Sequence, residues 1–191
     1  EGLSGVVFVL VYLKYGLGIE FFVLGAAVTL LLTVAVIDFE HKLIPYKIIF
    51  PTIGILIIMS PFWGHLGFTR NFLGSSDMVA SLANCMIAGS VAFLFLVAVR
   101  VAYPPGMGSG DPWLVGVVGL LVGLPGVIVA VSGAIVGGGL VAIGLLALRL
   151  KGRKDRIPFA PFLASASIAT FLWEPEIISG YNNLVDHLMR L

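Results

Sequence analysis

Long apolar runs alternate with short polar connections over almost the whole chain. A membrane-spanning helix needs roughly 17–25 predominantly apolar residues, and this criterion predicts about seven helices. They cover approximately Leu3–Tyr15, Glu20–Ile37, Tyr46–Trp63, Met78–Val101, Trp113–Leu124, Gly126–Leu150 and Phe159–Ile178. The pattern predicts an all-α, polytopic transmembrane helix bundle. No connection is long enough for a further domain, so residues 1–191 are expected to form one membrane-embedded domain.

Composition supports a membrane protein and excludes one class of partner. The 191 residues are 59% hydrophobic and 11% charged, whereas soluble proteins carry about 25% charged residues. The net charge of +1 excludes the strong basic field of a nucleic-acid-binding protein. The single cysteine, Cys85, cannot form an internal disulfide or a cysteine-rich metal site, and we expect it to be a small buried residue. We expect no metal and no cofactor.

Lysine and arginine are distributed unequally between alternate connections. Because short cytoplasmic loops are enriched in these residues, the distribution predicts that connections 38–47, 100–111 and 149–156 are cytoplasmic, as is the N-terminus. Lys14, Arg70 and Arg190 would lie on the opposite side. The predicted cytoplasmic connections contain the other eight basic residues: Lys42, Lys47, Arg100, Arg149, Lys151, Arg153, Lys154 and Arg156.

Glycines recur at helical spacing in the later apolar runs. Gly119 with Gly123, and Gly133 with Gly137, form pairs of the GxxxG type, which permit close contact between helix backbones. They predict tight packing, with helix mobility that admits a substrate as the alternative.

Two aspartates stand where apolar runs meet connections on the predicted cytoplasmic side. Asp38 follows a span, and Asp111 precedes another. An ionisable residue beside the bilayer core is costly and therefore suggests a functional site. For Asp38 the C-terminal end of a helix is also electrostatically unfavourable.

The simplest structural explanation of Asp111 is helix capping. Asp111 would be the N-cap, with Pro112 as the first helical residue. Capping does not explain Gly106, Gly108 and Gly110, since glycine permits positive φ or close approach of another chain. A glycine-rich rim beside a carboxylate suits an extended peptide.

Two carboxylates brought together from separate helices could perform acid–base chemistry. A close pair shares one proton, so that one member activates water while the other protonates a carbonyl oxygen. His41 is a weaker candidate, and His65 and His187 are predicted on the opposite side. The sequence contains no HExxH motif, phosphate-binding loop or Ser/His/Asp order.

Three ordered motifs resemble those of the prepilin peptidase family, the type IV prepilin leader peptidases of bacteria. Gly108-Ser109-Gly110-Asp111 resembles its GxGD motif. Asp38 followed by Ile44-Pro45 resembles its first aspartate motif, with Pro51 expected to open the next helix. The stretch Ile157–Phe162 resembles the IPFGPFL segment of the family.

This resemblance implies an aspartic endopeptidase at the cytoplasmic face of the bacterial inner membrane. Its substrates would be type IV prepilins or type II secretion pseudopilins, cut after the glycine that ends a short basic leader. Asp38 and Asp111 would be the catalytic pair, and Pro45, Gly106, Gly108 and Gly110 would belong to the motifs around it. Membrane lipids are the other expected partner.

The chain also departs from the family pattern. Tyr46 replaces a common Asp or Asn, and Trp113 stands where many members have Lys. The span and cysteine-bearing loop that usually come first, associated with metal binding and N-methylation of the cleaved pilin, do not precede Glu1. Methyltransferase activity is therefore not assigned to this chain.

Two other functions remain open on sequence grounds. A proton-coupled transporter could use Asp38 and Asp111 as a relay, which would place acids near the bilayer midplane in an inverted repeat. A catalytically silent membrane scaffold would use Asp111 only as a cap.

Overall fold

A computed structural model describes residues 2–66, 77–102, 107–148 and 158–173, together with isolated positions between 176 and 189. The continuous ranges form seven α-helices without a β-strand, which confirms the all-α prediction. A 3-10 segment, Ser60–Leu66, follows the third helix. The helices are α1 (Gly2–Tyr15), α2 (Ile19–His41), α3 (Tyr46–Met59), α4 (Met78–Ala102), α5 (Asp111–Val122), α6 (Gly126–Ala147) and α7 (Ala160–Leu172).

Four stretches are long and apolar enough to cross a membrane by length and composition: α2, α3 with its 3-10 segment to Gly64, α4 and α6. The chain is accordingly a membrane protein. The other helices, α1, α5 and α7, have 14, 12 and 13 residues. At about 1.5 Å per residue, each is shorter than a hydrocarbon core of about 30 Å. Seven complete spans therefore remain a prediction.

Parts of the sequence-based topology lie outside the described residues. These parts include Arg70, the basic connection 149–156, and the predicted ends of the last two spans at Leu150 and Ile178. The cytoplasmic orientation therefore stays a prediction.

The short helix α5 occupies the centre of the bundle. Eleven of its twelve residues are buried, and it packs against α3, α4, α6 and α7. Because protein rather than lipid surrounds α5, it does not need the length of a span. Its first residue, Asp111, is consequently held inside the protein.

Glycine allows the closest helix contact. A Cβ atom on Gly119 would lie 2.6 Å from the Cα of Gly89 on α4, and one on Gly133 would lie 3.3 Å from the Cβ of Ala166 on α7. The predicted tight packing is confirmed at these two glycines. Gly123 instead ends α5, with φ at 67°. Cys85 on α4 is fully buried, as expected.

The expectation that Pro51 opens a helix is wrong. Pro51 lies inside α3, which begins at Tyr46 with Pro45 as its N-cap. The backbone amides of Ile48 and Ile49 donate to the carbonyl oxygen of Pro45, at 3.0 and 3.2 Å. These bonds start the helix one and a half turns before Pro51.

Candidate active site

One cavity of about 110 Å³ brings together all three motifs found in the sequence. It lies where the C-terminal end of α2 meets the N-terminal ends of α3, α5 and α7. Asp38 and Asp111 both line it and are 5% and 6% exposed. The lining consists of Asp38, Lys42, Leu43, Ile44, Tyr46, Gly108, Ser109, Gly110, Asp111, Pro158 and Phe159.

Asp38 is anchored by a different part of the chain. It lies in the last turn of α2, where its carbonyl oxygen accepts from the backbone amide of Lys42 at 2.8 Å. Lys42 ends the helix with φ at 54°. The Oδ2 atom of Asp38 accepts from the backbone amide of Ala160, the first residue of α7, at 3.0 Å.

This contact changes the electrostatic description of Asp38. The N-terminal end of a helix carries partial positive charge and free amides that bind anions. The start of α7 therefore offsets the unfavourable C-terminal end of α2. Sequence reasoning missed this contact because Ala160 lies 122 positions away from Asp38.

Asp111 is anchored by its own loop. Its Oδ2 atom accepts from the backbone amide of Gly108 at 2.7 Å. The expectation that Asp111 is the N-cap is wrong, because Gly110 occupies that position and Asp111 is the first residue of α5. The carbonyl oxygen of Gly110 accepts from the amide of Leu114 at 3.1 Å, which begins the helical bonding one residue earlier than predicted.

The glycines of the GxGD motif are explained by close contact. A Cβ atom on Gly110 would lie 2.5 Å from the Cβ of Ile44, and one on Gly108 would lie 3.2 Å from the Oδ2 of Asp111. Neither glycine adopts a positive φ. Gly110 is therefore the point where the Ile44-Pro45 motif packs on the loop of Asp111. Gly106 lies outside the described residues.

Tyr46 and Trp113, the two residues that depart from the family pattern, both contact the ring of Phe50. Tyr46 stacks on Phe50 with ring centroids 5.8 Å apart, and Phe50 meets Trp113 edge-on at 5.1 Å. The Tyr46 hydroxyl also donates to the Oγ of Ser109 at 3.1 Å. Tyr46 thus connects the start of α3 to the glycine loop, a contact that sequence reasoning missed.

His41 is not among the residues that line this cavity. His41 is exposed, and its Nδ1 lies 3.9 Å from Glu40, an exposed residue outside the cavity lining. The side chain of His65 and all of His187 are outside the described part of the chain. Within the described part, no group of three or more His, Cys, Asp or Glu residues is placed to hold a metal ion.

Comparison with known proteins gives consistent results. The sequence model of the type IV leader peptidase family matches residues 25–143, a range that contains both aspartates. A prepilin leader peptidase/N-methyltransferase of Bacillus subtilis is 28% identical over 177 residues, covering 88% of this chain and 62% of that protein. Proteins of the same name from Legionella pneumophila and Pseudomonas putida are 29% and 28% identical, covering 87% and 90% of this chain.

The chain spans 55–62% of the length of these three relatives. No solved structure matches it significantly.

Proposed function

Because the chain belongs to the type IV leader peptidase family, we propose that it is an aspartic endopeptidase that removes the leaders of type IV prepilins or type II secretion pseudopilins. Asp38 and Asp111 are the proposed catalytic pair. The observation that carries this proposal is that both aspartates are buried and line the same cavity. One carboxylate oxygen of each accepts a hydrogen bond from a backbone amide.

The proposed chemistry needs one water molecule and one shared proton. A cavity of about 110 Å³ has room for a few water molecules, each of which occupies about 30 Å³ in the liquid. One ionised carboxylate takes a proton from the water as it attacks the scissile carbonyl carbon. The other, protonated carboxyl donates to the carbonyl oxygen, which gives a tetrahedral adduct. The C–N bond then breaks as the leaving nitrogen takes the proton from the first carboxyl and the adduct returns a hydroxyl proton to the second. The pair titrates as a unit.

We propose that cleavage takes place at the cytoplasmic face of the bacterial inner membrane. The support is the lysine and arginine distribution, together with the position of both aspartates at helix ends. Lys42 adds a positive charge to the cavity lining. No cofactor is required by this mechanism.

Neither alternative function is favoured. A proton relay requires acids along a path near the bilayer midplane, whereas Asp38 lies in the last turn of α2 and Asp111 in the first turn of α5. A silent scaffold accounts for Asp111 at the start of a helix. It does not account for a second buried carboxylate on the same cavity.

The test uses the purified chain in lipid vesicles with a synthetic prepilin that carries its leader. Mass spectrometry would detect two new fragments whose masses sum to that of the substrate plus one water. A pH-sensitive dye inside the vesicles reports proton flux in the same sample. Cleavage without flux supports the peptidase, flux without cleavage supports the transporter, and neither supports the scaffold.

A further inference from the structure

A second cavity, of about 420 Å³, also has Asp111 in its lining. It shares Asp111, Pro158 and Phe159 with the cavity that holds both aspartates, so the two cavities adjoin. Its volume falls within the range of about 300–1,000 Å³ that is typical of ligand-binding cavities. The site described above does not use this space.

The second cavity is lined by apolar side chains, apart from Asp111, and lies between α4 and α6. These helices contact each other little, since α4 packs mainly on α5 and α6 packs mainly on α7. Phe95 on α4 and Ile135 on α6 are about half exposed, at 49% and 48%. The cavity is therefore open between these two helices, while Leu96 and Ala134 form part of its buried wall.

We propose that this cavity binds a bulky apolar side chain of the peptide substrate, next to the bond that the aspartates would cut. The inference rests on the proposed peptidase function. Asp111, Pro158 and Phe159 line both cavities, which favours a peptide as the occupant. A substrate backbone that lies in the cavity of the two aspartates would have the side chain next to the scissile bond beside the second, apolar cavity. Apart from Asp111, no described lining residue carries a charge, so a charged side chain placed among the apolar residues would lose its hydration without an ion-pair partner.

Gly139 lines this cavity and leaves space for a side chain. A Cβ atom added to Gly139 would meet nothing within 4 Å, whereas one on the neighbouring Gly138 would lie 3.3 Å from the ring of Phe162. Because Gly139 is one of the residues that line the cavity, we expect a larger side chain at position 139 to occupy part of its volume. Gly144 provides a matched control, because it is on the same helix, is equally open, and does not line the cavity.

The first test compares G139L with G144L and the wild-type chain in lipid vesicles. The substrates keep the glycine before the scissile bond, and the residue after the bond is alanine, leucine or phenylalanine in turn. In an apolar pocket, one methylene more or less on the substrate side chain changes kcat/KM by about 10–200-fold. We expect G139L to lower kcat/KM at least about tenfold for a substrate with a bulky residue after the bond, and much less for its alanine counterpart. G144L should behave as wild type.

A loss in G139L that is equal for all substrates, or no loss at all, would overturn the proposal. An equal loss would indicate altered packing or a lipid acyl chain in the cavity. This result differs from failure of the proposed function, in which the wild-type chain cuts no substrate of the series.

The second test does not require cleavage. The G139C variant, with Cys85 retained because it is fully buried, is mixed with prepilin peptides that carry one cysteine near the scissile bond and then oxidised. We expect a disulfide-linked product that is at least about tenfold more abundant for G139C than for G144C or the wild-type chain. Equal yields from G139C and G144C would contradict the assignment, whether or not the chain cuts the peptide.

Discussion

The two buried aspartates are held in place in different ways. Asp38 stands near the end of a long apolar helix and is bonded to the first amide of α7, from a remote part of the sequence. Asp111 begins a short central helix and is bonded to Gly108 in its own loop. Both carboxylates thus lie at the N-terminal, positive end of a helix. For Asp111 this is its own helix, α5, whereas for Asp38 it is a different helix, α7.

This difference determines what each position depends on. The geometry of Asp38 depends on the docking of α7 against α2, and that of Asp111 depends on the glycine loop and its contact with Ile44. Substitutions that separate carboxylate chemistry, loop packing and anchoring hydrogen bonds can test this account. Their expected effects are described from the largest to the smallest.

Removing either ionisable group should have the largest effect. We expect D38N and D111N each to lower kcat/KM for a prepilin by about 10³-fold or more, because the loss of one member disables a catalytic unit. Asparagine keeps the size and the acceptor oxygen, so both variants should remain inserted and folded. The exposed acid Asp77 provides the control, and D77N should cut at the wild-type rate. Normal processing by either D38N or D111N would exclude the proposed pair.

Crowding the contact between the two motif loops should have the next largest effect. In G110A, the new Cβ would collide with the Cβ of Ile44, an atom fixed to the backbone that cannot rotate away. Displacement of a catalytic group by about 1 Å can cost about 10²-fold, and we expect a loss of this size in kcat/KM. G144A serves as the control, because position 144 has open space. Equal rates for the two variants would show that the contact does not position Asp111.

The anchoring hydrogen bonds should affect stability unequally. In D38A the buried amide of Ala160 loses its acceptor, which costs about 1–3 kcal/mol relative to D38N. The amide of Gly108 is only partly buried, so water can replace part of the bond, and D111A should lose less relative to D111N. Reversible unfolding in detergent with increasing denaturant measures both differences. A larger loss of unfolding free energy from D111N to D111A than from D38N to D38A would contradict the proposed difference between the two anchoring hydrogen bonds.

The hydrogen bond between Tyr46 and Ser109 should matter least. It is exposed and neutral, and such bonds contribute about 0.5–1.5 kcal/mol. We expect Y46F and S109A each to lower kcat/KM by roughly two- to tenfold. If the two hydroxyls act only through each other, the double variant should lose no more than either single one, and multiplied losses would show that they act separately.

The lengths of the apolar runs were sufficient to predict seven helices and most of their ends, because a helix in a membrane bundle needs a long apolar run. The position of Pro51 was predicted wrongly, since a single missing amide does not stop a helix that Pro45 has already started. Asp111 was predicted as an N-cap and is one residue further along, because the carbonyl oxygen of Gly110 makes the first helical bond.

The residues of the candidate site could be selected from sequence, but their surroundings could not. Costly charges and glycine spacing singled out Asp38, Asp111, Gly108 and Gly110. The contact of Gly110 with Ile44 and the bond from Ala160 to Asp38 depend on how helices pack over long sequence separations. No local pattern encodes such contacts, and the catalytic assignment itself stays a prediction.

The most direct test of the central claim, that the aspartates act as one unit, is the residual cleavage rate of the double variant D38N/D111N. Groups that act together are strongly non-additive, whereas independent groups lose activity multiplicatively. We predict that the double variant retains the residual rate of the slower single variant to within about threefold. A double variant whose loss equals the product of the two single losses would contradict the account.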